Sequence, residues 1–88
     1  MATRQEVYSA IDSERDYQDR RWNPQTTTSG GKHSLEEWLV YMEDYINEAK
    51  HIMSRSSKQE SEPQALNIMR KVAAMAVSAM EQHGAPQR

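Results

Sequence analysis

The sequence predicts an all-α protein: a short N-terminal helix followed by an antiparallel two-helix hairpin, assembling into a compact homo-oligomer. Three observations lead there. Apolar residues recur at spacings of three and four through two long segments, one from Leu35 to Met53 and one from Ala65 to Ala79. The stretch between them is short, which makes consecutive helices antiparallel neighbours. The chain has 88 residues and no cysteine, so it is one small domain with neither disulfide nor thiolate site to staple it. A domain of that size buries only roughly 65% of its unfolded surface, and a subunit interface is the staple that remains.

The first helix spans about residues 3–22. Val7, Ile11, Gln18 and Trp22 fall near one face with Tyr8 and Ala10 flanking it, and no glycine, proline or β-branched run interrupts them. Asn23-Pro24 ends it, because a residue preceding proline is pushed out of the helical region, and a loop over 23–33 follows. Ser34-Leu35-Glu36-Glu37 is a capping box in which the serine oxygen takes the Glu37 amide and the carboxylate returns to the Ser34 amide. It opens a second helix over about 34–55, with a seam of Leu35, Leu39, Met42, Ile46, Ala49 and Met53.

From Ser54 to Glu62 there is no apolar residue, so 56–61 reads as a solvated linker. Ser61 then caps a third helix over about 62–83 in which Pro63 sits where a missing amide costs nothing. Its seam is Ala65, Met69, Val72, Ala76 and Ala79, widened by Leu66, Ile68, Ala73, Met75, Val77 and Met80. Gly84 and Pro86 close it. One partner helix cannot cover that much apolar surface. Helix one covers the excess, or a symmetric second subunit does, and the absent staples favour the subunit.

Thirteen acidic against eleven basic residues give a net charge of -2, which argues against DNA or RNA polymers and anionic membranes as partners. The N-terminal stretch lacks a signal-peptide apolar region, and no run approaches bilayer length, so a cytosolic protein is expected.

The motifs argue against bond-breaking chemistry. Gly30-Gly31-Lys32-His33-Ser34 is not a P-loop, since Thr26 and His33 stand where that motif needs glycine and a hydroxyl, and no strand precedes it. Its parts still have meaning: glycines admit a phosphate to the backbone, Lys32 supplies charge, and the N-terminus of the second helix with Ser34 adds oriented donors. Glu36, Glu37, Glu43, Asp44 and Glu48 suggest a magnesium-dependent nucleotide pyrophosphohydrolase of the all-helical type. The facing helix offers only Glu62 and Glu81, so half of such a cluster is missing. His33, His51 and His83 share no ligand spacing, and neither a metal, a cofactor nor a catalytic residue is expected. The six methionines read as core filler. Trp22 is expected to pack the end of helix one against the hairpin. Tyr17, among charges, is either an ordinary amphipathic surface residue or, with Lys32 as phosphate clamp, a residue able to stack on a base.

At these residues the chain resembles the small phage anti-CBASS sponge proteins, which share a helical hairpin domain with the Thoeris anti-defence sponges. The resemblance runs through Ile11-Asp12-Ser13-Glu14-Arg15-Asp16-Tyr17-Gln18-Asp19 with Trp22, the Gly30–Ser34 turn, Trp38 to Glu48, and Met80-Glu81-Gln82-His83-Gly84. It implies sequestration without catalysis: capture of cyclic di- and trinucleotide messengers in the cytoplasm of the infected bacterial host, blocking effector activation. It also implies a homohexamer built from dimers, with dinucleotides held between protomers and trinucleotides at separate sites nearer the three-fold axis. Carried over, Tyr17 stacks on a base, Lys32 contacts phosphate, and Gly30, Gly31 and Ser34 shape that pocket; Arg70 is the candidate for the second site. The competing readings are the pyrophosphohydrolase and a small helical adaptor that binds a protein through its third helix.

Overall fold

A computed structural model describes residues 1–88. It contains three helices and no strand: α1 (Arg4–Arg21), α2 (Leu35–Arg55) and α3 (Lys58–His83). The α2–α3 pair is an antiparallel hairpin, since Trp38 near the start of α2 bonds Gln82 near the end of α3. α1 lies on α3 alone, and no close backbone approach joins it to α2. Two helices therefore ride side by side on a third. No helix is long and apolar enough to cross a membrane.

Each helix starts on a hydroxyl that takes the amide three residues ahead. Thr3 and Glu6 form a reciprocal capping box on α1, and Ser34 and Glu37 form the expected one on α2. α1 ends at Trp22, where Asn23 folds its side-chain amide back onto the carbonyls of Asp19 and Arg20. Gly84, with φ of 128°, ends α3.

The start of α3 corrects the expected boundary. The helix begins at Lys58 with Ser57 as cap, so the linker is Ser56-Ser57 and not 56–61. Lys58, Gln59 and Glu60 are good helix formers, and the extra turn satisfies their backbone groups without apolar side chains. Ser61 is not the cap. It is fully buried, with its hydroxyl on the Ser57 carbonyl at 2.9 Å. Pro63 lies inside the helix, beyond the first turn, and its missing amide leaves one ladder bond unmade.

Packing also selects a different stripe of α2. The residues turned to α3 are Trp38, Met42 and Tyr45, against Met75 and Ala79, while seam members Leu39 and Ile46 stay 57% and 47% exposed. The two stripes differ by one position, and the large indole takes the inward place because it has the most area to bury. On α3, Met69 of the expected seam is exposed, and the buried line runs through Ala65, Ile68, Met75 and Ala79. Ala74 and Ser78, both buried, leave room for α1.

α1 docks chiefly by polar groups: of the expected face Gln18 is buried and Ile11 half-buried, but Val7 is not, and Glu14, outside that face, takes its place. Its buried residues are Glu14 and Gln18, whereas Val7 and Tyr8 face outward. Glu14 Oε1 pairs with Arg70 Nε at 2.8 Å, and Gln18 Nε2 donates to the Lys71 carbonyl at 3.4 Å. Arg15 binds Glu81 at 2.7 Å and Asp19 at 2.9 Å. Burial works against the Arg15 cation, but those two carboxylates outweigh it and hold its pKa above the ordinary arginine value.

Helix one thus covers only part of the apolar excess. Ten residues are buried, and the accessible surface is 6946 Å². A compact monomer of this mass exposes about 5,300 Å². The Cα radius of gyration, 14.2 Å, likewise exceeds the value of about 12 Å for a compact chain of this length. Part of the uncovered apolar area lies on one side of the hairpin. There Ile46, Ala49 and Met53 of α2 and Ala65, Leu66 and Met69 of α3 line an apolar groove of about 640 Å³.

Removing Arg70 strands the buried Glu14 carboxylate, so Arg70→Ala is expected to lower stability by about 1–3 kcal/mol in urea denaturation. The double variant Glu14→Gln with Arg70→Gln is expected to recover most of that loss. Hydrogen bonds from the Ser34 backbone amide and then its hydroxyl hold the Glu37 carboxyl below the ordinary glutamate value. Its stabilisation is therefore complete above the unfolded-state pKa and is lost as pH falls through the lower folded value. In acid titrations followed by circular dichroism, Glu37→Gln is expected to flatten the loss of stability in that acid range.

Candidate functional site

Because α1 and α2 share α3 without touching, a cleft opens between them, and the 22–34 connection closes one end. The result is a cavity of about 630 Å³. Arg15, Gln18 and Asp19 of α1, with its C-cap Trp22, form one wall, recurring at spacings of three and four so that one helical face looks in. Trp38, Tyr41, Asp44, Tyr45 and Glu48 of α2 form the other, and Met75, Ser78 and Gln82 of α3 the floor. The segment from Ser29 to His33 forms the end wall.

The end wall is shaped by glycine geometry and aromatic packing. Gly30 and Gly31 have φ of 64° and 81°, the left-handed region that side chains resist. A Cβ on Gly31 would lie 2.6 Å from the Trp22 carbonyl oxygen, so the turn is seated directly on the end of α1. Trp22 therefore packs under the glycine turn and lines the cavity, where the sequence placed it against the hairpin. The His33 ring stands edge-on to Trp38 (4.9 Å between centroids) and Tyr41 (5.1 Å), making a three-ring cluster.

The donors available to an anion differ from those expected. The amides of Gly30, Lys32, His33 and Ser34 are engaged by the Thr27 and Ser29 carbonyls, Gln82 and Glu37 respectively. Gly31 reaches Ser29 Oγ only at 3.4 Å. What remains is the Lys32 ammonium, which has no ion-pair partner, the loosely held Gly31 amide, and the Leu35 and Glu36 amides at the start of α2. Ser34 is occupied as the cap of α2. At the other end, Asp44 and Glu48 face the cavity without ion-pair partners. No third ligating side chain joins them into a metal-binding group.

Of the residues singled out in the sequence, Gly30, Gly31 and Lys32 meet in this cavity. Tyr17 does not. It lies on the outward side of α1, 45% exposed, with its hydroxyl accepting from Arg21 Nη1 at 3.2 Å. Within one chain Tyr17 and Lys32 belong to different surfaces. Arg70 is not a free cation either, being tied to Glu14 and, through Nη1, to Asn67 at 2.8 Å. The aromatic wall of Trp38, Tyr41 and Tyr45 and the floor residue Gln82 were missed as site residues. The aromatics recur at spacings of three and four, a signal that core packing also produces.

Gly31→Ala is expected to push the turn off the Trp22 carbonyl, lowering stability by about 1–3 kcal/mol and shifting the Trp22 indole signal in NMR spectra.

No protein-family model, curated protein or solved structure matches the chain.

Proposed function

We propose that this chain sequesters cyclic di- and trinucleotide second messengers without cleaving them, as the anti-CBASS sponges it resembles do, and so blocks effector activation in the infected bacterial host. The observation that carries this reading is the cavity itself. Its walls are aromatic, and one end carries Lys32, a cation without an ion-pair partner, next to the loosely held Gly31 amide. Phosphodiester anions fit that end, and bases fit the aromatic walls, where each stacked base is worth about 1–3 kcal/mol. Nanomolar capture needs about 12 kcal/mol, which calls for more than one base and more than one phosphate held together.

In this reading the site is completed between subunits. Tyr17 of one protomer stacks on a base whose phosphate is held by Lys32 of another, since one chain presents the two on separate surfaces. The bare apolar groove along α2 and α3 and the excess accessible surface support such an assembly, for which a hexamer is proposed. A separate trinucleotide site including Arg70 belongs to the same reading. The pyrophosphohydrolase alternative has Asp44 and Glu48 in its favour but no facing carboxylates. The adaptor alternative has the apolar groove.

Native mass spectrometry with a mixture of cyclic di- and trinucleotides, followed by denaturation, separates the three. Sequestration is expected to give intact ligand released from a saturated oligomer. Cleaved ligand would identify an enzyme, and a monomer that binds neither ligand would leave the adaptor. Tyr17→Ala and Lys32→Ala are each expected to weaken dinucleotide binding at least tenfold in calorimetry with helicity unchanged. The double variant Glu14→Gln with Arg70→Gln removes the second-site cation without stranding a buried carboxylate. It is expected to lose trinucleotide affinity alone.

A further inference from the structure

Three consecutive side chains in the last turn of α3 hold the other three walls of the cavity. Glu81 takes the Arg15 guanidinium of α1 through Nε at 2.8 Å and Nη2 at 2.7 Å. Gln82 Oε1 accepts from the His33 amide at 3.1 Å and from the Trp38 indole Nε1 at 3.0 Å, while its Nε2 donates to the Gly31 carbonyl at 2.9 Å. His83 Nε2 lies 2.8 Å from the His33 carbonyl oxygen.

The orientation of the Gln82 amide is forced by its neighbours. The His33 N–H and the indole N–H can only donate, so the oxygen must face them and the nitrogen must face the Gly31 carbonyl. Both oxygen lone pairs and one of two amide hydrogens are then used inside the protein, which leaves little for a ligand. Residues 28–33 have no other hydrogen bond to a helix; their remaining bonds are local, within the loop. The only hydrogen bonds tying the backbone on either side of Lys32 to a helix are thus those of Gln82 and His83, which add to the seating of Gly31 on Trp22 and the packing of the His33 ring on Trp38 and Tyr41.

We propose that Gln82 is the positioning residue of the ligand site: it sets the Gly31–His33 backbone, and with it Lys32, against the Trp38 wall, so that the free protein already holds the binding geometry. The ligand half of this proposal rests on the sequestration reading; the clasp itself does not. A loop that must be ordered on binding reduces apparent affinity by the fraction of time it spends competent. That penalty falls on the association rate, whereas loss of a direct ligand contact speeds dissociation.

The test compares wild type with Gln82→Ala, Gln82→Glu and Lys32→Ala. Amide exchange and the Trp38 indole resonance are measured in the ligand-free proteins, and binding kinetics are measured with 3′,3′-cyclic GMP–AMP. Gln82→Ala is expected to speed exchange at the Lys32 and His33 amides and shift the indole signal with helicity retained. It is also expected to slow association about tenfold with dissociation nearly unchanged. Gln82→Glu keeps both acceptor bonds and sets an oxygen against the Gly31 carbonyl. It should therefore preserve the His33 amide and the indole signal while loosening Gly31, and it serves if the alanine variant folds poorly. Lys32→Ala should leave His33 exchange unchanged and speed dissociation.

Unchanged exchange and indole signals in Gln82→Ala would overturn the clasp. A loosened loop with unchanged association, or an affinity loss lying wholly in dissociation, would overturn the positioning role. Failure of the wild type to bind would overturn sequestration of this ligand and with it the positioning role, and amide exchange would still decide the clasp.

Discussion

Everything in this small protein hangs on one helix. α3 is the element that both α1 and α2 touch, and it can serve both because its inward residues are small where two neighbours crowd it. Ala74 is fully buried, and Ser78 and Ala79 are nearly so. Packed helices sit about 8–10 Å apart, so two helices laid on a third without meeting leave a groove between them. The cavity is that groove. It is not a void in a core but a consequence of the topology, and it needs only the 22–34 connection to close one end.

The same arrangement leaves the far side of the hairpin bare. Leu66 and Met69 on α3 are 57% and 62% exposed, and Leu39 on α2 is 57% exposed. Each would contribute about 1.5–3 kcal/mol on full burial, which is large against the total stability of a domain this small. α1 cannot supply that cover, because it occupies the opposite flank of α3 and docks there by an ion pair and an amide. A second copy of the chain, as proposed above, would cover that flank.

The fold class, the three helices and the α2 cap were legible because their signals are local. The Ser34–Glu37 box, the Asn23-Pro24 stop and the Gly84 terminus each act within a few residues. The α3 start was not decided locally, since Ser57-Lys58-Gln59-Glu60 and Ser61-Glu62-Pro63-Gln64 both read as capping sequences. Pro63 favours the second only if local preference decides; packing of the small Ser61 beneath the turn decided for the first. On α2, stripes through Leu39 and through Trp38 have the same period, so the sequence could not choose between them, and the area of the indole did. That Gly30, Gly31 and Lys32 lie together was legible because they are consecutive in the chain just before a helix start. Gln82 was not, because its partners lie 44 to 51 residues away and a glutamine near a helix end carries no local signature.

The burial of Glu14 was the least legible feature, since a charged group reads as solvent-facing until its partner is known. It also bears most directly on function. A helix held by Glu14–Arg70, Arg15–Glu81 and one long amide bond gains specificity of placement from those contacts but little net free energy, because desolvation offsets much of their attraction. α1 is thus the element whose local opening costs least, while its inward face lines the cavity and its outward face carries Tyr17. Any ligand bridging the cavity wall, or any neighbouring subunit seated against Tyr17, adds to the small energy that holds α1 in place. In the proposed assembly, ligand capture, subunit association and the docking of α1 would form one coupled equilibrium, and the last turn of α3, which grips α1, the glycine turn and Trp38 together, is where the three would meet.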